Sequence, residues 1–258
     1  MTSYTRKSER WMKEEGICSM LDILVRKLER RDDLREGQRE TIRRLPLEHR
    51  VVRAGDLIVR EGDRQPVSLL LISGFAGRFA LLGNGGRQFT ELALPGDFMD
   101  LHAMVMKRLD HSVAAISTCE LAAIPHGALK AVMANDPHLA RLFWLETVVD
   151  AAIHRVWLVA LGRQDAQARM AHLFCETKVR LEVVGLATDD GFDFPLNQTE
   201  LADVLGLSTV HVNRTLMALR SAQLVDWRDG RVILNDWPRL VRLAEFDPLY
   251  LRLWKEAV

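Results

Sequence analysis

The chain has 258 residues, 48% of them hydrophobic, and carries 35 Lys and Arg against 35 Asp and Glu. That is enough to build one large or two modest domains, each with a real core, while a net charge of zero neither favours nor excludes nucleic acid, because a local basic face suffices to bind it. No run of 18 uncharged apolar residues occurs, which excludes a transmembrane helix. Residues 1–16 are charged and lack an apolar core, so no secretory leader is expected and the reading is a cytoplasmic protein without membrane partners. The three cysteines, Cys18, Cys119 and Cys175, are odd in number and far apart, which fits neither a disulfide framework nor a zinc-ligand pattern.

In chain order, residues 1–30 read as a charge-rich N-terminal extension, with apolar positions at helical spacing from Leu21 to Leu28 announcing one or two short helices. From Arg50 to Pro125 short apolar runs alternate with glycines. Val51-Val52, Leu57-Ile58-Val59, residues 69–72, 77–82, 89–94 and 114–124 are separated by Gly55, Gly62, Gly74, the Gly83-Asn84-Gly85-Gly86 stretch and Pro95-Gly96. Short strands with turn signals between them predict an all-β roll or sandwich within residues 31–135.

Asp136-Pro137 then starts a helix, with proline in its first turn, that runs to about Leu161 within residues 136–162. Leu142, Val149 and Val156 recur every seven residues, and Leu145, Ala152 and Val159 do so on the companion position. This spacing suits a seam where the helix meets its own copy, making a homodimer; the other reading of the stripe is a helix buried on its own β domain. Trp144 and Trp157 fall off this seam and are expected to pack on the β domain. Gly162 is a candidate hinge. A second helix is expected over residues 165–184, then a loop over 185–191 and a short strand over 192–196. Residues 241–258 form a helical tail, with Leu243, Phe246, Leu249 and Leu253 at helical spacing.

The most informative segment is LNQTELADVLGLSTVHVNRTLMAL, residues 196–219. Asn197 with Glu200 makes a capping-box start. Leu201, Ala202 and Leu205 give a first helix its apolar stripe, Gly206 ends it, and Ser208 caps a second helix whose inner face is Val212, Leu216 and Leu219. This is the spacing of a helix-turn-helix. The outer face of the second helix offers Thr209, Val210, His211, Asn213 and Arg214 to base edges in a major groove of double-stranded DNA, with Arg suited to guanine and the Thr and Val methyls to thymine. Gln198, Thr199 and Ser208 stand at helix starts, where they can hold phosphates. After this, residues 224–234 place two apolar runs around Asp229-Gly230, which reads as a β-hairpin wing with Arg228 and Arg231 near its tip, also toward phosphate. The winged helix-turn-helix is assigned residues 163–240.

In this organisation the sequence resembles the Crp/Fnr family of bacterial transcription regulators over roughly residues 30–240. Gly55-Asp56-Leu57-Ile58-Val59-Arg60-Glu61-Gly62-Asp63 looks like the family's first strand pair, and Ile72-Ser73-Gly74 and Pro95-Gly96-Asp97-Phe98 match its later glycine turns. The resemblance implies an α+β fold: an N-terminal β-roll of the cyclic-nucleotide-binding kind, a long dimerisation helix and a C-terminal winged helix-turn-helix. It implies a homodimer on an inverted-repeat operator, working with RNA polymerase. Thr209, Val210 and Arg214 fall where members of the family touch bases. Arg214 stands at the arginine most typical of the family; Thr209 replaces an arginine of the cyclic-AMP-responsive branch, and Val210 a frequent glutamate.

For the sensor half the resemblance points to Gly96, Asp97, Asp110, His111 and Ser112 as the effector pocket. Members that bind cyclic AMP hold its phosphate with an Arg-Ser/Thr pair, whereas here His111 or Asp110 stands at the arginine's place; a phosphate without that bidentate partner loses a charge-assisted pair. The four-cysteine iron–sulfur cluster of the oxygen-sensing branch is excluded within one chain of three cysteines. No spacing selects a haem ligand among His49, His102, His111, His126, His138, His154 and His172, so no cofactor is identified. Cys119, in an apolar strand, reads as packing; a redox role for Cys175 depends on its exposure. No nucleophile elbow, phosphate-binding glycine loop or metal-ligand helix motif marks an enzyme. The competing reading is a regulatory module whose helix-turn-helix contacts a protein partner.

Overall fold

The computed structural model describes residues 20–106, 108–253 and 255. The described residues divide into two compact units, one made of residues 20–76, 93–147 and 255, the other of residues 77–92 and 148–253. Cys18 and Trp11 lie outside the described residues, as does Trp254.

The first unit begins with α1 (Asp22–Glu29) and α2 (Glu36–Arg43). Each buries one stripe of an otherwise charged surface, Leu24, Val25 and Leu28 on α1 and Ile42 on α2. Strands β1 (Glu48–Val52), β2 (Leu57–Val59) and β3 (Val67–Ser73) follow, and after the segment contributed to the other unit come β6 (Ser112–Ala115) and β7 (Cys119–Pro125). The run expected as one strand over 114–124 is thus two, parted at residues 116–118. Strand β7 lies between β1 and β3, antiparallel to both. From Leu121 to Ile124 it reads as a continuous apolar run because both of its faces are covered there. Alternate residues point to opposite faces of a strand, so Cys119, Leu121 and Ala123 join Leu69, Leu71 and Val113 in one core. Ala122 and Ile124 join Leu70, the α1 leucines, Leu129 of α3 (His126–Asn135), Leu142 and Phe143 in another.

The long helix α4 spans Pro137–Arg163. It runs straight through Gly162, so the hinge expected there is not a break. The helix stops where Asp165, in extended conformation, turns its side chain to accept from the Ala168 N–H and caps α5 (Ala166–Val183). Of the six residues assigned to the seam, Leu142 and Val149 are buried in the chain's own core, at 0% and 4% exposure. Leu145, Ala152 and Val156 are half-buried, and Val159 is exposed, as are Trp144, Val148 and Leu158. The helix is apolar nearly all round, and a heptad period alone does not say which stripe its own chain takes. Trp144, expected to pack inward, is 69% exposed, while Trp157 is buried and donates its indole N–H to Glu176 at 3.1 Å.

The second unit opens with strands β4 (Ala76–Leu81) and β5 (Arg87–Ala93), joined around Asn84. Residues 77–92, assigned from the sequence to the β-roll alone, pack with residues 148–253 because Arg78 reaches α4. Its guanidinium is 2.9 Å from Glu91 and 3.1 Å from Asp150, and 3.3 Å from His154. Burial raises the Glu91 carboxyl well above its ordinary range, against the pull of Arg78, and the nearby Asp150 carboxylate pushes the same way. Beyond α5 the chain forms a small sheet in the order β10-β11-β9-β8, built from β8 (Ala187–Thr188), β9 (Gly191–Asp193) and the hairpin β10 (Val225–Arg228) with β11 (Arg231–Leu234). The strand expected over 192–196 is shorter and pairs with residues expected as loop.

The tail is α8 (Trp237–Ala244) and a single 3-10 turn, Pro248–Leu251. It packs on α5 within its own chain. The Tyr250 hydroxyl donates to Glu176 at 2.6 Å and lies 3.2 Å from His172, whose ring meets Phe246 edge to face. Of the tail residues at helical spacing, Phe246 and Leu253 are buried and Leu249 is exposed; Leu240, Ala244 and Leu251 are buried as well.

Candidate nucleic-acid interface

Helices α6 (Gln198–Leu205) and α7 (Thr209–Ser221) begin and end where their local chemistry sets them. The Asn197 side chain accepts from the Glu200 N–H at 2.9 Å and the Glu200 carboxylate accepts from the Asn197 N–H at 2.8 Å, a complete capping box. Gly206 ends α6 at φ 62°, ψ 38°, a left-handed geometry that costs glycine nothing. Ser208 then caps α7 by accepting from the His211 N–H at 3.2 Å. Inward, α6 buries Leu201, Ala202, Val204 and Leu205, and α7 buries Val212, Thr215 and Leu219.

The outward face carries all five residues expected to read bases. Thr209, Val210, His211, Asn213 and Arg214 are exposed on α7, and Gln198, Thr199 and Ser208 are exposed beside them. The structure joins the two sets, since the Asn213 amide donates to the Gln198 side-chain oxygen at 2.8 Å and fixes both orientations. Among the described residues Arg214 has no ion-pair partner, so its guanidinium stands ready for an external acceptor.

The wing follows at once. Residues Asp229 and Gly230 turn the hairpin with φ of 53° and 72°, the two left-handed positions of a tight turn matched to strand twist. Arg228 is exposed and lies 3.5 Å from Asp226; Arg231 is half-buried and pairs with Asp193 at 3.0 Å. Exposed pairs of this kind are worth about 0–1 kcal/mol, so exchanging them for a phosphate is cheap. Four further contacts were not legible in the sequence. Arg220 ties the end of α7 to the wing through Asp226 at 2.5 Å. Arg87 of the β4–β5 hairpin bonds Asp203 on α6 at 2.8 Å, and Gln88 donates to the Val204 carbonyl at 3.1 Å. Arg169 of α5 donates to the Leu205 carbonyl at 2.6 Å. The helix-turn-helix is therefore held at the end of α6 by both the hairpin and α5.

The residues assigned to an effector pocket are engaged differently from a nucleotide site. Asp97 accepts from Lys27 at 2.7 Å and from the Leu94 N–H at 2.7 Å, closing its own turn after Gly96. The Ser112 hydroxyl accepts from the Glu61 N–H at 3.0 Å. Asp110 bonds the His111 ring at 2.7 Å, and that hydrogen bond, opposed by burial, holds its carboxyl below the usual range. A cyclic phosphate would meet an ionised carboxylate, and nearby Arg108 is turned to the Gly62 carbonyl. These residues do not fit a cyclic nucleotide. Cys119 and Cys175 are both buried, and burial pushes each thiol up to about 12. The exposure on which a redox role for Cys175 depends is therefore absent.

Comparison with known proteins agrees with this architecture. Residues 49–136 match the cyclic nucleotide-binding domain family, and residues 168–243 match the Crp-like helix-turn-helix domain. The transcriptional activator protein FnrL of Cereibacter sphaeroides is 27% identical over 77% of this chain and 81% of its own length. The nitrogen fixation regulation protein FixK of Azorhizobium caulinodans is 28% identical over 67% of this chain and 70% of its own. In fold, the structure of FixK2 from Bradyrhizobium japonicum superposes with a TM-score of 0.70 at 23% identity, covering 77% of this chain and 98% of that one.

Proposed function

The chain belongs to the Crp/Fnr family of DNA-binding transcription regulators, and on that premise we propose that it acts as a homodimer whose paired α7 helices read an inverted repeat in double-stranded DNA. The observation that carries this reading is the exposed α7 face, on which Arg214 has no ion-pair partner among the described residues while Asn213 is braced by Gln198. Thr209, Val210, His211, Asn213 and Arg214 reach base edges; Gln198, Thr199, Ser208, Arg228 and Arg231 hold phosphates. The two copies meet along the open stripe of α4, Trp144, Val148, Leu158 and Val159, which shares Val159 with the seam its heptads suggested. Two recognition helices then sit about one DNA turn apart, roughly 34 Å.

Relatives named as transcriptional activators support the reading of an activator; such an activator would work with RNA polymerase in the cytoplasm. No described helix is long and apolar enough to cross a membrane. The β-roll responds to something other than a cyclic nucleotide or is degenerate as a nucleotide sensor. The test is Arg214→Ala measured on a cognate operator and on random duplex. A base-reading arginine costs about 1–3 kcal/mol on the operator and much less on random DNA. Equal losses on both would make it a phosphate contact, and no salt dependence of binding would favour a protein partner for this face.

A further inference from the structure

The geometry points to a binding site for a divalent transition-metal ion in the first unit, formed by His102, Asp110 and His111. Each offers one ligand atom, an imidazole nitrogen or a carboxylate oxygen, and the three atoms lie within 4.8 Å of one another. His102 comes from the 3-10 turn Leu101–Met104, and Asp110 and His111 come from the approach to β6. The fold gathers them because the backbone on either side is pinned: the Gly62 N–H donates to the Leu109 carbonyl at 2.8 Å, and the Ala103 N–H to the Asp100 carbonyl at 2.8 Å. The two imidazole rings stand 5.1 Å apart between centroids, and Asp110 already bonds the His111 Nδ1 at 2.7 Å.

Four-coordinate zinc places its ligand atoms about 2.0–2.2 Å from the metal. Three donors within 4.8 Å of one another therefore close on an ion by side-chain rotation alone. Two imidazoles and one carboxylate select a borderline first-row ion over calcium or magnesium, which prefer all-oxygen shells. Three protein ligands leave at least one coordination position open. The site is reached from solvent through Asp110, whose side chain is 69% exposed, while the His111 side chain is only 12% exposed.

A second three-ligand cluster shows what a filled site looks like. Glu91, Asp150 and His154 also converge, but the Arg78 guanidinium sits among them at 2.9, 3.1 and 3.3 Å and already supplies the cation. Around Asp110, among the described residues, no lysine or arginine forms an ion pair; its charge is met by imidazole. In the turn where the sequence resemblance seeks an arginine for an anion, this chain gathers donors for a cation.

The experiment titrates the metal-free full chain with Zn2+ by calorimetry and with Co2+ by visible absorption, in the absence of DNA, so that the outcome does not depend on the DNA-binding reading. One saturating ion per chain is expected, with a Co2+ spectrum free of sulfur-to-metal charge transfer. His102→Ala, His111→Ala and Asp110→Asn should each weaken binding at least about tenfold, and His154→Ala should leave it unchanged. Thermal melting without metal checks each variant's fold; should a histidine variant not fold, the exposed Asp110→Asn decides. Absence of saturable binding, or binding unchanged in Asp110→Asn, overturns the site.

Discussion

Arg78→Met removes a cation from a buried set of charges while keeping most of the side chain's volume. In the native protein the Arg78 side chain is 9% exposed and lies 2.9 Å from Glu91 and 3.1 Å from Asp150. Burial raises the Glu91 carboxyl well above its ordinary range, against the pull of Arg78, the cation that faces both carboxyl groups. Without Arg78, Asp150 keeps its charge beside Glu91 with only His154 near. A pair of unit charges about 4 Å apart is worth ~4 kcal/mol at an effective dielectric of about 20. Breaking a buried pair from one side typically costs about 3–5 kcal/mol. The expected loss is therefore about 3–5 kcal/mol of unfolding free energy at neutral pH, measured by urea titration. The deficit should shrink as the pH is lowered and Asp150 is allowed to protonate, and Arg78→Met combined with Asp150→Asn should recover part of it. A loss below about 1 kcal/mol would place Arg78 with ordinary surface pairs and refute the argument that it fastens the β4–β5 hairpin to α4.

Burial lowers the His172 pKa from its ordinary 6.5, against the pull of Glu176 and a hydrogen bond to the Ala244 backbone. The unfolded chain then binds this proton more readily than the folded one, so the contribution is full above pH 6.5 and is lost as the pH falls from there toward the lowered folded value. Melting curves of the wild type should drop across this range more than those of His172→Gln; parallel curves would show that His172 is not the titrating group. Leu158→Glu, placed on the open α4 stripe where Leu158 is 72% exposed, should yield a folded monomer by sedimentation and abolish operator binding. A dimer unaffected by it would remove the stripe from the interface. Asn197→Ala strips the α6 cap and should cost about 1 kcal/mol of stability, read from the shift in the urea midpoint, with no change if the capping hydrogen bonds are absent in solution.

What could be read from the sequence was what short-range chemistry fixes. Asn197 with Glu200, Gly206, Ser208 and the Asp229-Gly230 turn each act within a few residues, so the helix-turn-helix and wing were legible position by position. Alternation along β7 was not, because two cores cover its two faces and leave only an unbroken apolar run. Which residues of α4 its own chain covers was not legible for a related reason: Leu142 and Leu158 are equally apolar, and only the folded β strands decide that the first is covered within the chain. Gly162 looked like a hinge because glycine weakens a helix, yet the Asp165 cap sets the boundary. The bonds from Arg87 to Asp203 and from Arg78 to Asp150 span 116 and 72 residues. No local pattern announces such pairings. His102 joins Asp110 and His111 only through the turn that the folded backbone makes between them.

The most direct test of the central claim is selection of random duplex DNA by the purified full chain, read by sequencing. The account predicts enrichment of an inverted repeat whose half-site centres lie about 10 base pairs apart, and loss of that enrichment in Arg214→Ala. Failure of the wild type to enrich any sequence, with the metal supplied and a dimer verified, would contradict DNA reading by α7.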